Sequence, residues 1–190
     1  MRLSCLHLGQ GVYLDLACGS LSMAYEQHIR DATCDSARCV VITLSDTRTE
    51  ATDTSGRRIR DMLAEGGHAV VDYRIIHDEA AELHLLLTEV LSRSDIDAVL
   101  TNGGTGISRR DRTIEVVERH LDQHLPGFGE LFRMLSFEQI GSGALLSRAV
   151  GGIGRGKVIF AVPGSTKAVE LAMSRLILPE LKHLLRELRK

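Results

Sequence analysis

Residues 101–111 read Thr-Asn-Gly-Gly-Thr-Gly-Ile-Ser-Arg-Arg-Asp and join an apolar run to a segment with helical spacing. Asp97–Thr101 has the composition of a short buried strand, while Ile114, Val117 and Leu121 predict a helix over 112–121. Gly103, Gly104 and Gly106, with Thr105 among them, therefore stand between a strand end and a helix start. Without a Cβ, backbone amides can approach a ligand closely, and a helix start adds partial positive charge, so the loop suits a phosphate. A tight turn without a ligand would use the same glycines. The neighbouring loops decide between the two.

Those loops are placed by a regular alternation of elements. Strands are predicted at 39–44, 69–76 and 157–162 as well as 97–101, and helices at 54–65, 79–91, 129–139, 165–178 and 179–188. The last two helices are separated or kinked at Pro179. Gly66-Gly67 ends the first helix, and Gly154-Arg155-Gly156 turns a hairpin between 149–153 and 157–162. Strand and helix alternation predicts an α/β fold with a mainly parallel sheet, helices on both faces and a C-terminal hairpin strand pair.

In such sheets the ligand lies beyond the carboxyl ends of the strands. Ser45 and Asp46 follow the first strand, with Asp53, Thr54, Ser55 and Gly56 nearer the helix. His77, Asp78 and Glu79 follow the second, the glycines and Asp111 the third, and Pro163, Gly164 and Ser165 the last. Taken singly, Asp53 or Asp78 is a helix cap and Pro163-Gly164 a turn. Taken together they favour a site. Glycine amides for phosphates beside several carboxylates make sense when a divalent cation mediates between them, and Mg²⁺ takes one or two carboxylates plus phosphate oxygens and water. Asp78 and Asp111 are the candidate ligands, with Arg109, Arg110 and Arg112 as cationic donors. Phosphoryl or nucleotidyl transfer is the chemistry this set suits. A dinucleotide fingerprint after the first strand is missing, and no Lys-Ser/Thr follows the glycines as in a P-loop.

Bulk composition narrows the partners. A chain of 190 residues with 44% hydrophobic residues can bury one substantial core, which predicts one domain over 37–190. A formal charge of -2, no Trp and 4% aromatics leave neither a basic field nor stacking platforms, so nucleic acid is not the expected partner. Cys5, Cys18, Cys34 and Cys39 are scattered without metal or redox spacing, as in a reduced cytoplasmic protein. No stretch has membrane-spanning length. Residues 1–36 lack periodicity and read as a poorly ordered N-terminal arm, within which Met23 is an alternative start. His120 and His124, spaced i, i+4, read as a solvated helix face rather than a metal site, and Phe128, Leu131, Phe132 and Leu135 as a core stripe, part of which could serve a subunit interface.

From about Ala37 to Leu185 the chain resembles the molybdenum cofactor biosynthesis family of MoaB and MogA proteins and molybdopterin adenylyltransferase domains. The resemblance is carried by LSDTRTEATDTSG at 44–56, TNGGTGISRRD at 101–111, PGFGELFRMLSFEQIG at 126–141 and FAVPGSTKA at 160–168. The third motif, followed by SRAVGG at 147–152, is more similar to the MoaB branch. The resemblance implies a three-layer α/β/α molybdopterin-binding fold in a homotrimer or homohexamer, with contacts to other enzymes of the pathway. It further implies Mg²⁺-dependent transfer of AMP from ATP to the terminal phosphate of molybdopterin, with release of pyrophosphate. By motif position, Gly103, Gly104, Thr105 and Gly106 would line the phosphates and Asp78 and Asp111 would form the catalytic acidic pair. Ser45, Asp46, Asp53, Gly56, Glu130, Ser136, Pro163, Gly164 and Ser165 would shape the pterin and nucleotide pockets. The alternative is a non-catalytic oligomer that binds and presents molybdopterin.

Overall fold

The structure, a computed structural model, describes residues 36–190. The expected arm, the start at Met23 and three of the four cysteines lie outside the described residues. Six strands form one sheet: β1 (Arg38–Leu44), β2 (Ala69–Ile76), β3 (Ala98–Asn102), β4 (Gln123–His124), β5 (Val150–Gly154) and β6 (Lys157–Val162). Their order is β2-β1-β3-β6-β5-β4. The first four in that order are mutually parallel, whereas β5 runs antiparallel to both β6 and β4. The helices are α1 (Thr54–Glu65), α2 (Ala80–Ser92), α3 (Thr113–Glu118), α4 (Pro126–Ile140), α5 (Thr166–Ala172) and α6 (Leu178–Leu188).

Alternation along the strands divides the core into two layers, as a sheet covered on both faces requires. Cys39, Val41, Ala98, Leu100, Val158 and Phe160 pack against α1, α4, α5 and α6 through Ile59, Leu63, Phe132, Val169 and Leu181. Val40, Ile42, Leu44, Val99, Ile159 and Ala161 face α2 and α3 through Leu83, Leu87, Val90 and Val117. This is the three-layer α/β/α arrangement the sequence predicts. Between β5 and β6, Arg155 and Gly156 both have positive φ, 49° and 70°, so the two-residue turn has the twist that a tight hairpin needs.

The chain departs from expectation between Glu118 and His124 and again before Pro179. Helix α3 stops at Glu118 instead of reaching Leu121, because Asp122 N donates to Ile153 O at 2.7 Å and draws the chain into the short edge strand β4. Leu121 still joins the core, but from the turn, against Gly152. His120 and His124 consequently share no helix: His120 Nε2 lies 3.0 Å from His84 Nδ1, and His124 belongs to β4. At the C-terminus the break precedes Pro179 as a π-helical turn, Met173–Ile177. A proline has no amide hydrogen and its ring presses on the carbonyl four residues earlier, here Arg175, so the helix widens upstream of it.

The strand order places the site. From β1 the chain crosses over α1 to β2 on one side, then over α2 to β3 on the other. The carboxyl ends of β1 and β3 therefore send their loops in diverging directions, and a crevice opens between them.

Candidate active site

The crevice floor is built by close backbone approach. Gly103 N donates to Val162 O at 3.2 Å, and a Cβ on Gly103 would meet Leu44 O at 2.3 Å. Gly103 and Gly104 also have φ of 100° and 61°, conformations that L side chains rarely adopt. Glycine is therefore required twice in succession by the path of the loop. A Cβ on Gly164 would lie 3.1 Å from Gly103 Cα, which brings the loop after β6 onto the same floor. Among the described residues, the amides of Gly104 and Thr105 donate to no protein acceptor.

Two aspartates reach this loop from different directions. Asp78, after β2, places Oδ1 2.4 Å from the position of a Gly104 Cβ, and Asp111 Oδ2 lies 2.7 Å from that of Gly106. Their electrostatics diverge. Burial, then the charges of Asp111 and Asp46, raise the Asp78 carboxyl above its ordinary value. The Ser108 side chain first, and then its backbone N–H, which donates to Oδ2 at 2.9 Å, hold Asp111 below its ordinary value. A carboxylate raised by the charges of its neighbours identifies a place where added positive charge is favoured.

Arginines organise the rim. Arg110 bridges Asp46 and Glu79, each at 3.0 Å, while Arg109 and Arg112 are exposed. Arg148 donates from Nε to Thr105 O at 2.9 Å and from Nη2 to Gly106 O at 2.7 Å and Asp111 O at 2.9 Å. Its Nη1 pairs with Glu115 Oε1 at 2.7 Å. Loop carbonyls turned toward Arg148 leave the loop's other face to a ligand. Arg148 carries no site role in the sequence reading, although it lies in the SRAVGG motif.

Beneath the floor is a buried polar network. Asp53 is fully buried and accepts from Thr43 Oγ1 at 2.5 Å, Tyr73 OH at 2.6 Å, Gly56 N at 3.0 Å and Ser55 Oγ at 3.0 Å. Burial pushes its carboxyl up, yet these bonds outweigh burial and leave it below the ordinary value. Burial and the Asp53 contact push the Tyr73 hydroxyl up to about 12. Asn102 closes the network, donating to Thr43 Oγ1 at 2.9 Å, with its Oδ1 2.7 Å from Ser55 Oγ, whose single proton it shares with Asp53. Arg48 spans it, reaching Ser55 Oγ at 2.5 Å and Gly164 O at 2.8 Å.

The predicted residues accordingly fall into three groups. Asp78, Asp111, Gly103, Gly104, Thr105, Gly106 and Gly164 converge on the crevice, Pro163 leads from β6 into Gly164, and Asp46 stands at the rim, where Oδ1 accepts from Asp78 N at 3.2 Å. Asp53 and Gly56 cap α1 from inside the core, Ser45 Oγ accepts from Arg48 N at 3.2 Å, and Ser165 Oγ caps α5 through Ala168 N at 3.2 Å. These residues shape the loops by internal bonds. Glu130 is exposed and opens onto a separate groove of about 210 Å³ lined by His124, Pro126, Arg133 and Val150, and Ser136 is buried on α4. Both lie on α4, which packs beside β5. Cys39 is a free, buried thiol raised to about 12 by burial, which makes it unreactive.

Residues 40–183 match the family described as Probable molybdopterin binding domain. Molybdenum cofactor biosynthesis protein B of Halalkalibacterium halodurans is 52% identical over 169 residues, 88% of this chain and 99% of that protein. The chain belongs to this family. The Bacillus subtilis protein of the same name is 48% identical, with 88% of this chain and 99% of that protein covered. A crystal structure of molybdenum cofactor biosynthesis protein B superimposes with a TM-score of 0.80 at 51% identity, covering 83% of this chain and 98% of that one. The tungsten cofactor synthesizing protein MoaB of Pyrococcus furiosus gives 0.73 at 39% identity, covering 82% and 98%. Membership places the chain in molybdenum cofactor biosynthesis. Among the described residues, no helix is long and apolar enough to cross a membrane.

Proposed function

We propose that the chain transfers AMP from ATP to the terminal phosphate of molybdopterin, giving adenylyl-molybdopterin and pyrophosphate, with Mg²⁺ as cofactor and a homotrimer or homohexamer as the working assembly. The observation that carries this reading is the convergence of Asp78 and Asp111 on the loop of Gly103, Gly104 and Gly106. Both reacting groups are anionic, so a catalyst has mainly to align them and to offset their repulsion. The free amides of Gly104 and Thr105 are donors for phosphate oxygens.

The residues present fit a hard divalent cation. Among the described residues no hydrogen-bond donor reaches the Asp78 carboxylate, and no group of three or more His, Cys, Asp or Glu side chains is arranged to hold a metal. Mg²⁺ needs few protein ligands, since phosphates and water complete its shell. When bound it supplies positive charge at the phosphates. Asp78 would hold it, Asp111 would orient its water shell, and Arg148 would keep the loop in register. The oligomer reading is supported by an apolar surface on α4 and the 3₁₀ turn after it, where Leu131, Met134, Phe137, Ile140, Leu145 and Leu146 are all exposed.

Incubation with ATP, Mg²⁺ and molybdopterin tests the reaction. Adenylylated product and pyrophosphate are expected, both lost in Asp111→Ala. Tight pterin binding without product would overturn the enzymatic reading in favour of a carrier of molybdopterin in the same pathway.

A further inference from the structure

Thr113, the first residue of α3, is 2% exposed, and its hydroxyl oxygen has no hydrogen-bond partner. A buried hydroxyl without a partner costs free energy that folding alone does not return. Its position is specific. Thr113 Oγ1 and Asp78 Oδ1 lie 2.3 and 2.4 Å from the same point, the place a Cβ on Gly104 would occupy. Glycine at 104 thus lets two oxygens from two elements pack against its Cα, and among the described residues neither accepts a hydrogen bond. Arg110, the nearest cation on the rim, is engaged with Asp46 and Glu79. Thr113 N donates to Gly104 O at 3.1 Å, which fixes the hydroxyl-bearing residue to the glycine loop itself.

We propose that Thr113 Oγ1 is an oxygen ligand, with Asp78, of the divalent cation in this crevice. The inference rests on the Mg²⁺-dependent reading of the site and adds to it a residue outside the acidic pair. The hydroxyl makes no hydrogen bond, so its lone pairs and those of the carboxylate are left for a hard cation, and a neutral hydroxyl is a ligand type that Mg²⁺ accepts beside a phosphate-binding loop. A carboxylate and a hydroxyl also leave more positive charge on the cation for the phosphates than two carboxylates would.

The test uses the full chain with Mn²⁺ as the probe, titrated by electron paramagnetic resonance in the presence of α,β-methylene-ATP. Thr113→Val keeps the shape and removes the oxygen, whereas Thr113→Ser keeps the oxygen. Thr113→Val is expected to weaken Mn²⁺ binding by roughly tenfold or more, as loss of a metal-supporting group does, and Thr113→Ser to stay within about threefold of the parent chain. Without ligands the melting temperature of Thr113→Val is expected to be unchanged or higher, since an unsatisfied buried hydroxyl is gone. Unchanged Mn²⁺ affinity in Thr113→Val overturns the proposal. So does weaker binding of α,β-methylene-ATP in EDTA, which would assign the hydroxyl to a phosphate oxygen, or a melting temperature that falls with Val and recovers with Ser. If the parent chain itself takes up no Mn²⁺ with the analogue, the Mg²⁺-dependent reading fails, and the role of Thr113 with it.

Discussion

Arg148 grips Asp111 by its main chain and not by its carboxylate: Nη2 donates to Asp111 O at 2.9 Å, while Asp111 Oδ2 is occupied by Ser108 N. The same guanidinium also holds the carbonyls of Thr105 and Gly106, so one side chain sets the backbone on which the acidic group and the free amides are mounted. Arg148→Lys keeps the charge and loses the planar fork, and a lysine cannot reproduce donors to three carbonyls and Glu115 together. Arg148→Lys is expected to destabilise the fold by about 2 kcal/mol, the scale for lost hydrogen bonds to a charged group, and Arg148→Met by at least as much. Urea denaturation measures this. Binding of ATP should weaken in both variants, since the loop amides are no longer held in place.

The two aspartates are shifted in opposite directions, Asp78 up and Asp111 down, so Asp78 is the one a proton reaches first as pH falls. Asp78 is raised by burial and by Asp111 and Asp46, so a proton competes for its carboxylate at a higher pH than at an ordinary aspartate. Mn²⁺ affinity is expected to decline as pH falls, with its midpoint above about 4, the ordinary aspartate value. Asp111→Asn removes one of the repelling charges and should move that midpoint down. The sign follows from linkage: lowering the affinity of Asp78 for protons extends the pH range in which it is free for metal. A midpoint at or below that of a model carboxylate would show that Asp78 is not the group that titrates.

Much of this site was legible because its determinants are local. Glycines before Thr113, acids after β2 and β3, and Pro163-Gly164 after β6 are each adjacent to a strand end, and strand ends follow from alternation of apolar residues. Asp53 shows the limit of such reasoning. Its position after β1 resembles that of a ligand, yet Thr43, Tyr73 and Ser55 turn it inward, and two of those partners lie 10 and 20 residues away. Arg148 lies 37 to 43 residues from the carbonyls it binds, so nothing in its own neighbourhood announces it. Thr113 lies beside the motif and still escapes notice, because its missing partner is a fact of burial and not of sequence. Leu121 misled for a related reason, as apolar spacing alone does not separate a helix face from a turn that packs into the same core.

The apolar surface of α4 should govern assembly. Met134, Phe137 and Leu145 also line one groove with Ala144 and Arg133, and Phe137 and Leu145 are 61% and 84% exposed, too much apolar surface for a helix in water without a partner. Phe137→Glu combined with Leu145→Glu is expected to convert the proposed oligomer to a monomer of about 21 kDa, consistent with a 20.8 kDa chain. Circular dichroism should stay unchanged, since neither side chain belongs to the core. Light scattering that gives a monomer for the parent chain would remove the oligomer from the proposal.

Acid stability should depend on Asp97 at the far end of the sheet from the crevice. Its carboxylate accepts from Arg38 N at 2.8 Å, Arg38 Nε at 3.0 Å and Arg189 Nη2 at 3.1 Å, joining the start of β1 to the end of α6. The Arg38 side chain is the main cause that lowers this carboxyl to about 2. A folded value below the unfolded one means that the charged form is favoured by folding. Its contribution is complete above about 4 and is lost as pH falls toward about 2. Asp97→Asn is expected to lower the denaturation midpoint at pH 7 and to leave stability less dependent on pH between about 4 and 2 than in the parent chain. Equal pH dependence of the two proteins in that window would assign the acid sensitivity to other carboxylates, of which Asp72, held by Arg74 and Arg93, is the next to replace.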